Sequence, residues 1–172
     1  LVALVKKKGK GCALMKRDLR RAYKQILVDP GDWPYLGLSW NGEFFFDMTM
    51  PMGLRSSARC CQRITNAVRY MVQQKGFDLV AFLDDMGTAE FWEKANECHA
   101  TMGQVLSDAG FDENRQKGVS PTVTMLFLGV LFDTLNLTLS VSEERLRETM
   151  ELLETWLGKA HMTRKDVEQI AG

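Results

Sequence analysis

Hydrophobic positions along this chain follow two rhythms. Between residues 56 and 74, Ala58, Cys61, Thr65, Val68 and Val72 recur at three- and four-residue steps. That spacing predicts a helix over 56–74 with one buried stripe, ended by Gly76. A second amphipathic helix is predicted over 91–109, stopped by Gly110. Elsewhere the apolar runs are short and strand-like. Cys12–Lys16 predicts a buried strand leading to Asp18, and Leu19–Ile26 a turn or short helix. Asn41–Gly42 favours positive φ and predicts a hairpin joining Tyr35–Trp40 to Glu43–Thr49. Leu79–Leu83 predicts a strand with Asp84–Asp85 at its tip and Met86–Ala89 as its returning partner. Met125–Phe132 and Leu135–Val141 predict a further strand pair. Ser142, followed by Glu143 and Glu144, predicts a capped helix start. Thr163 and Asp166 predict a capping box for a last helix. The order of elements predicts an α+β fold, an antiparallel sheet with helices packed on one face.

The chain's 172 residues, 45% hydrophobic and 26% charged, suit one compact domain and exclude a disordered one. The longest strongly apolar run, Met125–Phe132, is too short to span a bilayer. At the start, LVALVKKKGKG places its apolar stretch before the basic cluster, the wrong order for a signal peptide. The first residue is Leu, which predicts a fragment. Cys12, Cys60, Cys61 and Cys98 make no CxxC pair, and with two histidines they give no zinc pattern. Reduced thiols in a cytoplasmic or nuclear protein are the expectation. Net charge is zero but unevenly spread: residues 1–75 carry 14 basic against 5 acidic side chains, and residues 76–172 carry 8 against 17. The basic half suits a polyanion; two solvated faces of opposite sign explain the split equally well.

Asp84–Asp85 is weak evidence alone, since a chain with eleven aspartates carries such a pair by chance about as often as not. A polar turn explains it too. Its context adds weight. Two carboxylates at the end of a buried strand repel one another, and one must take a proton unless a cation compensates. A divalent metal with oxygen ligands is the natural compensation. Asp18 ends another short buried strand. Were the two strands neighbours, three carboxylates would converge, as two hard cations about 3.5–4 Å apart require for phosphoryl transfer.

The stretch from Lys16 to Ile26, with Asp18 followed by Ala22–Tyr23, resembles the first conserved motif of reverse transcriptases. Pro51–Met52–Gly53–Leu54–Arg55–Ser56–Ser57 resembles their second, and Phe82–Leu83–Asp84–Asp85 their third. Gly110–Phe111 with Asn114 and Lys117 resembles the fourth, and Phe127–Leu128–Gly129 the fifth, the hairpin called the primer grip. Each motif is weak alone; the five appear in the family's order and cover roughly residues 12–141. Val28–Asp29–Pro30, Phe46–Asp47 and Pro51–Met52–Gly53–Leu54 look most like retrotransposon enzymes of the Gypsy and DIRS types. Met52, Ala58 and Phe82 depart from the usual Phe or Gln, Pro and Tyr. None of these changes touches a carboxylate.

The resemblance implies a polymerase palm over residues 1–141 with partial fingers elements. It implies that residues 142–172 are the palm-to-thumb connection, with the thumb beginning at 162–172. It implies an RNA-directed DNA polymerase, a nucleotidyltransferase using two Mg²⁺ ions, with Mn²⁺ as a substitute. Asp18, Asp84 and Asp85 would be catalytic and would bind metal, with the Leu19 carbonyl. Arg21, Ala22, Tyr23, Met52, Gly53 and Lys117 would bind nucleotide, Tyr23 as the steric gate. Arg55, Phe82, Leu83, Leu128 and Gly129 would contact template or primer. The implied partners are an RNA or DNA template, a DNA primer, deoxynucleoside triphosphates, and the remaining fingers, thumb and RNase H segments of a parent polyprotein; no membrane is implied. Plainer readings stand beside these: Tyr23 as a core aromatic, Gly53 as a loop glycine, Arg55 and Lys117 as solvated cations, and 127–130 as a core strand. RNA-dependent RNA polymerases share the paired Asp, but typically carry a second Asp five residues after the first, where Tyr23 stands here. A palm that has lost catalysis and only binds nucleic acid or a partner also accommodates the motifs.

Overall fold

The computed structural model describes residues 1–158, 161 and 163–171. The chain opens with a short helix α1 (Val2–Lys8), then a strand β1 (Ala13–Asp18). A hairpin follows, β2 (Gly37–Trp40) and β3 (Glu43–Phe46), then helix α2 (Ser57–Gln74). Strands β4 (Val80–Phe82) and β5 (Asp85–Glu90) precede helix α3 (Trp92–Asp108). Four short strands come next: β6 (Val119–Thr122), β7 (Thr124–Phe127), β8 (Val130–Asp133) and β9 (Thr138–Val141). Helices α4 (Glu143–Leu157) and α5 (Arg164–Ala171) complete the described chain. No helix among the described residues is long and apolar enough to cross a membrane.

The central sheet has the order β4-β5-β1-β6 and is antiparallel throughout. Side chains alternate across it, so each of its faces carries its own core. Ala13 and Met15 of β1, with Met86 of β5, pack against α2 and α3 through Cys61, Val68, Val72, Ala95, Cys98 and Met102. Leu14 and Ala89 point the other way, toward Met125, Phe127 and Phe132 of a second sheet, β7-β8-β9, and Leu4 and Val5 of α1. The helices therefore cover one face, as the pattern of elements predicts, and a small sheet with α1 covers the other. Thr134 joins these layers: its buried hydroxyl donates to the Cys12 carbonyl (2.8 Å), and its own carbonyl accepts from the Gly11 N–H (2.8 Å).

Local signals place several boundaries as expected. Asn41 and Gly42 both have positive φ (52° and 80°) at the β2–β3 turn, the two-residue geometry that matches strand twist. Gly76 and Gly110 take φ of 91° and 77° where α2 and α3 end. Ser142 caps α4, its Oγ accepting from the Arg145 N–H at 3.4 Å.

Other expectations need correction. The run Met125–Phe132 is two strands, not one: Leu128 and Gly129 turn with φ of 51° and 78°, so Phe127 faces Val130 across a tight hairpin. Apolar composition hid that turn. β1 runs on to Asp18, and β4 stops at Phe82, leaving Leu83 in the turn. Ala58 is exposed; Ser57 takes the buried position in the α2 stripe, its hydroxyl donating to the Pro51 carbonyl at 2.8 Å. Helix α1, strand β6 and the 3₁₀ turn Pro30–Leu36 have no counterpart in the sequence pattern described above. Of the capping pair Thr163 and Asp166, the Asp166 side chain lies outside the described residues, as do Met162 and Gly172 at the ends of the expected thumb segment.

Candidate active site

The alternation of β1 decides where its charged residues go. Leu14, Lys16 and Asp18 share one face; Ala13, Met15 and Arg17 share the other. β5 runs antiparallel beside it, pairing Leu14 with Ala89, Lys16 with Gly87 and Asp18 with Asp85. The two aspartates are therefore direct cross-strand neighbours on one face. Asp84 occupies the two-residue turn between β4 and β5 with Leu83, whose φ is 50°. Its carbonyl accepts from the Leu19 N–H at 3.1 Å, stitching the end of β1 to that turn.

Two polar side chains that the sequence reading passed over hold these pieces in place. Gln62 of α2 donates from Nε2 to the Ala81 carbonyl (3.1 Å) and accepts at Oε1 from the Leu83 N–H (2.9 Å). It grips the backbone just before the Asp84 turn as a neighbouring strand would. Its signal in the sequence was a polar residue directly after the buried Cys61. Arg17, on the opposite face from Asp18, pairs with Glu113 (Nη1 to Oε2, 2.5 Å) and donates to the His99 carbonyl (Nη2, 2.6 Å). Gly103 leaves room for it: a Cβ there would lie 2.7 Å from the Arg17 guanidinium carbon. Glu113 anchors the loop after α3, whose Asn114 N–H donates to the Asp18 carbonyl at 2.8 Å. Lys117 follows three residues later, exposed beside the carboxylates.

Burial raises the Asp18 carboxyl above its ordinary range; Lys117 opposes the rise, and the neighbouring Asp84 and Asp85 add to it. Burial likewise raises Asp85, opposed first by Lys16 and reinforced by Asp84. The Lys16 ammonium lies 3.9 Å from Asp85 Oδ1. Asp18 is buried, with 4% of its surface exposed. A buried carboxylate beside another is a site that favours a cation or a proton. Its donors are all hard oxygens, the chemistry of Mg²⁺ or Ca²⁺ rather than zinc. In chemistry the residues fit a divalent cation. In geometry, no group of three or more His, Cys, Asp or Glu side chains among the described residues is placed so that it could hold a metal ion.

Beside the carboxylates lies a cavity of about 400 Å³ lined by Arg21, Ala22, Tyr23, Lys24, Met52, Cys61, Leu83 and Asp84. It brings together four of the expected nucleotide residues. Burial pushes the Tyr23 hydroxyl's pKa upward. Gly53, next to Met52, has φ of 88° with open space where a Cβ would sit. Arg55, Arg59, Arg63 and Arg69 are all exposed, and α2 carries no acidic residue. Phe82 and Leu128 are half exposed. Phe127, just before the turn of Leu128 and Gly129, packs on Gly87, two residues after Asp85.

No protein-family model matches the sequence, and no curated protein matches it. Solved structures of the foamy viral protease–reverse transcriptase match the fold. The enzyme in complex with an RNA/DNA hybrid superposes with a TM-score of 0.76 at 14% identity, over 93% of this chain and 20% of that one. A complex with double-stranded DNA gives 0.75 at 12%, over 98% and 28%. The native prototype foamy virus enzyme gives 0.67 at 14%, over 99% and 27%. This chain thus spans between a fifth and a third of their length. At these identities the likeness is one of architecture: the chain is α+β with a reverse-transcriptase-like fold.

Proposed function

We propose that this chain is the palm of an RNA-directed DNA polymerase from a retrotransposon-like element, with residues 1–141 as palm and 142–172 leading into a thumb. The observation that carries the reading is the cross-strand pairing of Asp18 with Asp85, with Asp84 in the adjoining turn. Asp18, Asp84, Asp85 and the Leu19 carbonyl would hold two Mg²⁺ ions. When bound, the metal pair supplies activation of the primer 3′-hydroxyl and stabilisation of the pyrophosphate leaving group. The protein's own share is positioning. Arg21, Ala22, Met52 and Gly53 border the incoming nucleotide. Tyr23 fills the place of a ribose 2′-hydroxyl and so selects deoxynucleotides. Lys117 balances charge on the triphosphate. Leu128 and Gly129 support the primer end, while Arg55, Phe82 and Leu83 face template and primer. The foamy viral relatives' complexes with RNA/DNA hybrid and double-stranded DNA support a nucleic-acid partner here.

A second reading rests on Lys16 and Lys117. Both already compensate the carboxylates, as suits a palm that binds nucleic acid without catalysis. Primer extension separates the two. The palm is joined to related fingers and thumb and given an RNA template, a DNA primer, deoxynucleotides and Mg²⁺, with Asp84→Ala alongside. Extension that disappears in the variant supports the polymerase. A folded protein that binds primer-template yet extends nothing supports the binding-only palm.

A further inference from the structure

The turn between β7 and β8 holds a cation that none of the five motifs includes. Gly129 sits there with φ of 78°, and Arg145 of α4 lies over it: a Cβ on Gly129 would be 3.1 Å from Arg145 Nη1. The backbone dictates this closeness. β8 and β9 pair Val130 with Val141, so α4 begins beside the turn. Ser142 then caps the helix through the Arg145 N–H and fixes its first turn. The glycine leaves the space that the guanidinium occupies.

Arg145 is exposed, and among the described residues its side chain has no hydrogen-bond or ion-pair partner. This contrasts with Arg147, two residues along the same helix, which pairs with Glu151 at 4.0 Å. An arginine on a capped helix turn with its donors free can take an anion, and its planar fork matches two phosphate oxygens. Glu144 and Glu148 share a groove with Arg145 that does not include Gly129. They repel an anion from that side and leave the approach over the turn. The half-exposed Leu128, in the same turn, suits the apolar face of a sugar.

Resting on the polymerase reading above, the geometry points to Arg145 as a primer-strand phosphate ligand, acting across the Leu128–Gly129 turn. The turn sets where the strand lies, and the guanidinium supplies the charge.

The test is binding of the palm, joined to related fingers and thumb, to a fluorescent RNA/DNA hybrid, measured by anisotropy over a salt series. Arg145→Ala should weaken binding about 3- to 10-fold and reduce the salt slope by about one. Arg145→Lys should recover part of the loss. Arg147→Ala, which removes the same charge from the same helix, should leave binding within 2-fold, roughly the scale of an exposed pair. A hybrid whose primer carries neutral methylphosphonates near its 3′ end should bind wild type more weakly and be indifferent to Arg145→Ala. Equal affinity of Arg145→Ala and wild type overturns the assignment. So does an equal loss with neutral and charged primers, which places the contact on the template or elsewhere. If the palm joined to related fingers and thumb, as in the primer-extension test, does not bind the hybrid at all, the polymerase reading fails first and Arg145 with it.

Discussion

Gly87 is the sharpest place to test how the site is held together. It lies in β5 between Met86 and Thr88, paired with Lys16 on one side and Val80 on the other. A Cβ added there would meet Phe127 at 2.7 Å (Cε2), 3.0 Å (Cδ2) and 3.1 Å (Cζ). Ordinary carbon contacts begin near 3.5 Å, so ring or strand must give way by about 0.8 Å. The ring has little freedom, because Phe127 is buried among Cys12, Leu14, Ala89, Met125 and Phe132. Overpacking of this kind costs about 1–3 kcal/mol. Gly87 does not have positive φ, so without the clash alanine would gain about 0.4–1 kcal/mol by stiffening the unfolded chain. The clash is the larger effect, and Gly87→Ala should lose about 1–2 kcal/mol net. That lowers the melting midpoint by roughly 2–4 °C per kcal/mol for a chain of this length. The decisive measurement is a double-mutant cycle by urea denaturation. Phe127→Leu costs stability itself, but it removes the ring atoms that Cβ meets. In that background Gly87→Ala should become neutral or stabilising, a coupling of about 1–3 kcal/mol. Equal destabilisation in both backgrounds would show that Phe127 is not the obstacle. A Gly87→Ala protein as stable as wild type would refute the packing argument altogether.

Gln62→Leu should destabilise by about 1–3 kcal/mol, since it strands the Ala81 carbonyl and the Leu83 N–H; hydrogen exchange at the Leu83 amide should speed up more than elsewhere, and unchanged exchange there would count against the grip. Asp18→Asn should stabilise the protein in EDTA at pH 7. Folding raises the carboxyl pKa of Asp18, so the folded state keeps a proton that the unfolded chain has released. Stability therefore falls as pH rises from the ordinary carboxylate range through the folded pKa, and the variant escapes that loss. Thermal melts of both proteins should converge below the carboxylate range; a variant that melts lower at pH 7 would contradict the sign.

Some of this molecule is written locally and some is not. Asn41–Gly42, Gly76, Gly110 and the Ser142 cap act through their own backbone preferences, so the sequence reveals them. The order of predicted elements made an antiparallel sheet an expectation, and the apolar run before Asp18 put a carboxylate at the end of β1. What local pattern cannot supply is pairing. That Asp18 faces Asp85 depends on β1 and β5 being neighbours in one particular register. The Leu128–Gly129 turn is lost in the hydrophobic pattern, because Leu128 adopts positive φ without a typical turn residue before its glycine; the resemblance to the primer-grip hairpin was what pointed to it. β6 contains Pro121, which reads as a break, yet the strand lies at the sheet edge where proline is tolerated. Gln62 and Arg17 were invisible for another reason: their partners are backbone groups and a carboxylate some twenty to a hundred residues away in sequence.

The strand order β4-β5-β1-β6 has a consequence for how this protein is made. β1 is early in the chain and sits inside the sheet, but both its neighbours come much later, beyond α2 and, for β6, beyond α3 as well. As the chain leaves a ribosome, β1 waits with both edges bare while some seventy residues follow it. Contacts so distant in sequence slow folding, because loop closure must precede them. Asp18 therefore meets Asp85 only when the sheet closes, and the carboxylate pair is among the later features to form. Until then β1, with Leu14 and Met15 uncovered, is open to pairing with another chain.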